Sequence, residues 1–298
     1  MSDIAARPKS FELGLLVLLA TLWGSSYLLL KVAVETIPPV TLIAARVSIA
    51  ALFLICVIVA KKERLPRDPQ TWFRLLIQSF LTATGAWTLL AWGQQYVESS
   101  LATVLNSTSP IFVFFITLLV TRHEGLNIFK LIGACLGLGG VILIVGVDAL
   151  NGMGQAVFAQ VAVVGGAVLY AGAAIHGKRF SHLPATVTAA STMIAAAACL
   201  IPASLIVDQP WTLSPSLLSV LAMLILSVFC TGIALLLYFR LVNTLGSLGV
   251  ASQAYLRVGI GVMLGVVVLD ESVTPVMGVG LAAAVCGVAM INLFGQKN

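Results

Sequence analysis

The sequence predicts an all-α integral membrane protein whose ten transmembrane helices form two inverted five-helix repeats. Three observations carry this expectation. Sixty per cent of the 298 residues are hydrophobic and only 9% are charged, against roughly 25% in a soluble domain. Ten apolar runs of about 20 residues follow one another, each able to cross a ~30 Å hydrocarbon layer as a helix. Two distant regions also match each other at a single offset.

The runs cover approximately 13–34, 39–60, 72–93, 99–121, 128–147, 156–177, 186–207, 216–239, 247–269 and 275–294. The first follows Arg7 and Lys9 and reaches Val34. That exceeds the 7–15 apolar residues or so of a signal peptide, so it is read as a span behind a tail, 1–12. Pro38 and Pro39 open the second span, and KKERLPRDPQ (61–70) separates the second from the third. DESVTP (270–275) puts Thr274 at a helix N-cap and Pro275 in the first turn. The connections are too short for a soluble domain.

Basic residues orient the spans. The tails and alternate connections hold Arg7, Lys9, Lys61, Lys62, Arg64, Arg67, Arg74, Arg122, Lys130, Lys178, Arg179, Arg240 and Lys297, and the opposite connections hold only Lys31. Arg46 and Arg257 lie inside spans. Such a bias marks the cytoplasmic side and puts both termini there. The net charge of +5 is thus spread over loops and does not form a nucleic-acid patch.

Cys56, Cys135, Cys199, Cys230 and Cys286 all fall inside apolar runs. Their spacing suits neither a disulfide framework nor a zinc site, and they read as packing residues. His123, His176 and His182 lack carboxylates at useful spacing. No enzyme, metal or cofactor is expected, and without a phosphate-binding loop ATP does not drive the protein directly.

WGSSYLLLK (23–31) and YAGAAIHGK (170–178) align at an offset of 147 residues, 23 to 170. The same offset carries 110–140 onto 257–287, with Glu124 on Glu271, Gly133 on Gly280 and Gly140 on Gly287. The repeats are placed at 13–147 and 156–294. Five spans is an odd number, so the second repeat enters the membrane upside down, the build of many secondary transporters.

The offset also pairs Asn106 and Pro110 with Gln253 and Arg257, each pair spaced i, i+4 on one helix face. Pro110 cannot bond to the carbonyl of Asn106 and should kink its helix. Mid-membrane polar groups usually face a cavity, which places one between the fourth and ninth spans. No Asp or Glu lies mid-span to neutralise Arg257. Its partner is then backbone carbonyl, water or a substrate carboxylate, which a guanidinium fork fits. Among the aromatic residues within spans, Trp87 and Tyr255 are the preferred cavity-lining candidates. Lys31 with Glu271, and Lys178 with Glu124, suggest two gate pairs exchanged by the repeat. The GACLGLGG (133–140) and GLAAAVCG (280–287) faces let helices approach closely and would also suit contact with a second copy in a homodimer.

WGSSYLLLK, ARVSIAALFL (45–54) and EGLNIFKLIGACLGLGGVIL (124–143) resemble the EamA repeat of the drug/metabolite transporter superfamily, in both halves of the chain. The second half departs from it, with Tyr170-Ala171 where the first has Trp23-Gly24, and Arg257 where the repeat usually has proline, as at Pro110. The resemblance matches Arg46 to a second-span arginine, taken as structural. It implies a ten-helix transporter of the bacterial inner membrane, often an exporter of amino acids or related metabolites. Together these features point to a secondary transporter working by alternating access on a small solute, carboxylate-bearing if Arg257 binds it. A pore or a lipid-handling protein is the alternative.

Overall fold

The computed structural model describes residues 9–121, 128–150, 155–238, 240, 241, 244, 253–272 and 274–294. They are helical apart from short connections, with no strand among them. In chain order the helices are α1 (Lys9–Val34), α2 (Pro39–Ala60), α3 (Pro69–Gln94), α4 (Ser99–Asn106), α5 (Ser109–Thr121), α6 (Ile128–Leu150), α7 (Gln155–Gly177), α8 (Ala185–Val207), α9 (Leu217–Tyr238), α10 (Gln253–Leu269) and α11 (Pro275–Phe294).

Seven of the ten expected spans have the length and composition that a crossing needs: α1, α2, α3, the α4–α5 stretch, α7, α8 and α9. Shorter apolar stretches lie in the other three, at Leu131–Gly140, Leu256–Leu269 and Pro275–Gly287. The protein is a multi-pass membrane protein. Its outward surface is apolar, with Leu52, Val59, Phe158, Ile206 and Val267 all exposed, as a lipid-facing surface requires.

Local chemistry sets the helix ends and satisfies polar groups inside the spans. The Asp68 carboxylate accepts from Thr71 N–H at 2.8 Å and caps α3, with Pro69 in the first turn. Ser216 caps α9 through Ser219 N–H. Thr274 Oγ1 accepts from Met277 N–H at 3.3 Å, giving α11 its expected cap. Within the spans, Ser48 donates to the Ala44 carbonyl and Ser107 to that of Thr103, both at 2.7 Å. Such back-bonding removes the cost of a bare hydroxyl in hydrocarbon.

Two helices contain a widened turn. α3 is a π-helix from Phe80 to Trp87, and α9 from Val228 to Ile233. Thr84-Gly85 and Thr231-Gly232 occupy equivalent places in them, again 147 residues apart. Thr231 Oγ1 donates to the carbonyl of Leu226 at 2.9 Å, the five-residue reach that a π turn allows.

Helix contacts come in matched sets. α1 packs on α9 and α10, while α7, the equivalent of α1 one offset later, packs on α3 and on α4 and α5. α2 packs on α8, and α4 on α10. The most extensive pairing is α6 on α11. There, a Cβ added to Gly140 would strike the Gly280 carbonyl, and one added to Gly287 the Gly133 carbonyl. Each contact is the other's equivalent by the 147 offset, and the two helices run antiparallel. The glycine faces that could meet a second copy meet each other within the chain.

Candidate functional site

The helices other than α6 and α11 surround a chamber of about 370 Å³. Its wall takes Trp23, Ser26 and Tyr27 from α1, Arg46 from α2, Trp87 from α3, Asn106 from α4, Ser109 from α5, Tyr170 from α7, Thr192 and Met193 from α8, Thr231 and Tyr238 from α9, and Arg257 from α10. The wall extends past Gln78 and Thr188 toward the end that bears the basic Lys61–Asp68 connection.

Arg46 is 6% exposed. Its Nε donates to Thr231 Oγ1 at 2.9 Å, and its guanidinium carbon stands 3.9 Å from the centre of the Trp87 ring. A desolvated cation–π contact contributes ~2 kcal/mol. Trp87 is held in turn by an Nε1–H bond to the Tyr170 hydroxyl. Both supports of Arg46 come from the widened turns, Trp87 closing one and Thr231 lying in the other. The two terminal nitrogens of Arg46 make no hydrogen bond among the described residues.

Arg257 shares the chamber wall. Its Nη2 has only a long contact, 3.4 Å, to Ser107 Oγ, and its buried Nε has no partner among the described residues. Ser107 lies in the break between α4 and α5, two residues before the first full turn that contains Pro110. Asn106 is buried at the end of α4. Its Nδ2 donates to the Tyr27 hydroxyl at 2.7 Å, and its Oδ1 has no partner among the described residues. No Asp or Glu occurs in the wall among the described residues.

The structure thus gathers Arg257, Asn106 and Trp87 around one space. Gln253 is buried with an unpartnered Oε1 but is not in the wall. The Tyr255 side chain lies outside the described residues. Arg46, expected to be structural, lines the chamber. Thr231, Tyr27 and Tyr170 join it, and the signal for Thr231 was the Thr-Gly pair repeated at the 147 offset.

Lys31 and Glu271 form no ion pair with each other. The Lys31 ammonium donates to the carbonyls of Gln94 at 2.8 Å and Val97 at 2.9 Å, at the end of α3. The Glu271 carboxylate is 9% exposed and accepts from the amides of Ser99 at 2.6 Å and Ser100 at 2.8 Å, at the start of α4. A cation on terminal carbonyls and an anion on leading amides both match the helix dipole. Lys178 is exposed in a 3-10 turn, Lys178–Phe180, and Glu124 lies outside the described residues.

The described residues form a multi-pass helical chain with an internal chamber that carries a few polar groups, an arrangement found in membrane transporters. More particularly, the chain is a member of the EamA-like transporter family, whose model matches residues 10–146 and again 157–293. Both ends of the second match fall 147 residues after those of the first. It is 27% identical over 282 residues to the "uncharacterized inner membrane transporter YedA" of Escherichia coli K12, covering 94% of this chain and 90% of that one. It is 26% identical over 271 residues to the "uncharacterized transporter YoaV" of Bacillus subtilis, covering 90% and 92%. A protein of known crystal structure matches 97% of this chain with 99% of its own, at a TM-score of 0.64 and 20% identity, a likeness of fold.

Proposed function

We propose that the protein is a secondary carrier that moves small organic metabolites, such as amino acids, out across the bacterial inner membrane by alternating access. In this reading ten spans form two inverted five-helix halves, both termini are cytoplasmic, and the solute binds between the halves. The observation that carries it is one internal chamber whose polar groups come from both matched stretches of the chain. A central, sparse polar site suits one occluded solute, whereas a pore needs a continuous polar lining.

The reciprocal Gly140–Gly280 and Gly287–Gly133 approaches, on antiparallel helices, support the inverted arrangement. Export and the inner membrane rest on the family resemblance and on the name given to YedA. Lys31 and Glu271 act here as a closure: together they clasp the α3–α4 connection at the outer end, leaving the chamber to face the cytoplasm. In the opposite state Lys178 and Glu124 take the equivalent part at the inner end.

Reconstitution in liposomes tests this reading. A carrier gives saturable uptake of a labelled solute that is accelerated by the same solute on the far side. Conductance that rises linearly with voltage, with no such acceleration, overturns it in favour of a pore.

A further inference from the structure

Among the described residues, the chamber wall holds two guanidiniums and no acid. Arg46 is almost fully buried, one edge fixed by Thr231 and one face by Trp87. That leaves the two terminal nitrogens as a fork held in place, with no hydrogen bond among the described residues. A guanidinium fork matches the two oxygens of a carboxylate, and a buried cation that is not neutralised is costly. Arg257 adds a second charge with a buried, unpartnered Nε. Both guanidiniums and the Tyr170 ring line the same wall, so the two cations act on one region.

The remaining wall is largely flat and apolar. Trp23, Tyr27, Trp87, Tyr170 and Tyr238 present rings to a space of about 370 Å³, near the lower end for ligand sites. Asn106 Oδ1 supplies a single unpartnered acceptor. A ligand ammonium would find no carboxylate among the described residues of this wall and would stand in the field of two cations.

Resting on the carrier reading above, we propose that the chamber selects a small organic acid of net negative charge, with a ring or other planar apolar body and no ammonium group. Its carboxylate lies on the terminal nitrogens of Arg46, and its ring lies among the chamber aromatics. Arg257 sets the preference for net negative charge over a zwitterion. The substrate class is thereby narrower than the amino acids implied by family resemblance.

Three probes that share a phenyl ring test this with purified full-length protein. 3-Phenylpropanoate is phenylalanine without its amine, and phenethylamine is phenylalanine without its carboxylate. Binding measured by calorimetry should favour 3-phenylpropanoate over phenylalanine by at least about tenfold, with phenethylamine weaker still. Arg46→Lys keeps the charge but loses the fork, and should weaken 3-phenylpropanoate binding at least about tenfold. If Arg46→Lys does not yield folded protein, Arg257→Gln, at a half-buried site, should reduce the preference for 3-phenylpropanoate over phenylalanine. Phenylalanine binding as tightly as 3-phenylpropanoate, or no probe binding at all, overturns the proposal, as does a folded variant with unaltered selectivity. Counterflow separates the two readings. Exchange of phenylalanine without exchange of 3-phenylpropanoate sinks the anion site but leaves a carrier. Selective 3-phenylpropanoate binding without exchange of any probe upholds the anion site and sinks the carrier.

Discussion

Lys31 and Glu271 hold the same short connection from opposite sides without touching one another. The ammonium takes the carbonyls of Gln94 and Val97 and the carboxylate takes the amides of Ser99 and Ser100. The connection between α3 and α4 is therefore tied to α1 by a cation and to the α10–α11 connection by an anion.

Removing either tie should loosen that end of the molecule. Glu271→Ala strands two buried amides and should lower unfolding stability by about 1–3 kcal/mol. Lys31→Ala should speed the labelling of a cysteine placed at Val97, which is now 3% exposed, by a membrane-impermeant maleimide. Unaltered labelling in both variants would remove these residues from any closure.

Arg46 depends on Thr231 for its one strong hydrogen bond. Thr231→Val keeps the shape of the side chain but leaves a buried guanidinium edge unsatisfied. The expected cost is about 1–3 kcal/mol in denaturant unfolding. Thr231→Ser keeps the hydroxyl and should recover most of that loss.

The α6–α11 contact separates glycines that matter from those that do not. Gly140→Ala and Gly287→Ala push a methyl into the facing backbone and should each destabilise by about 1–3 kcal/mol. Gly139 and Gly278 have nothing within 4 Å of an added Cβ, so the same change there should leave the melting temperature in detergent nearly unchanged. Equal losses at all four would show that helix propensity, not close approach, governs the pair.

Asp68 is exposed and caps α3. Hydrogen bonds from the backbone and side chain of Thr71 hold its carboxyl below the usual carboxylate value of 3.8. Its stabilising effect is then complete above the unfolded-state value and is lost as pH falls through the lower folded value. Asp68→Asn, which caps without titrating, should flatten this part of the acid limb of a stability-against-pH curve. An unchanged limb would assign that slope to other carboxylates.

Seven span positions were legible because a bilayer imposes long apolar runs, and Pro39 and Pro275 mark helix starts in the sequence as they do in the fold. The 147 offset was legible because both halves keep aromatic, lysine and glycine positions in register. The chamber was only partly so. Arg257, Asn106 and Trp87 were singled out as mid-span polar or aromatic groups, and all three reach it. Arg46 was read as structural, and its place in the chamber wall was not legible because its distance along α2 says nothing about which way a neighbouring helix has turned. The π turns that bring Trp87 and Thr231 to it depend on a backbone departure that helical periodicity does not encode. Glu271 was paired with Lys31 on charge alone, whereas free helix ends proved the better partners for both.

Among the described residues, no part of the chamber wall comes from α6 or α11, although that pair packs more extensively than any other described pair. What the protein recognises and what keeps it durable are therefore written in separate helices. Lineages can retune the cargo by exchanging residues on the chamber-lining helices while α6 and α11 stay as they are, and a laboratory seeking new specificity has the same freedom.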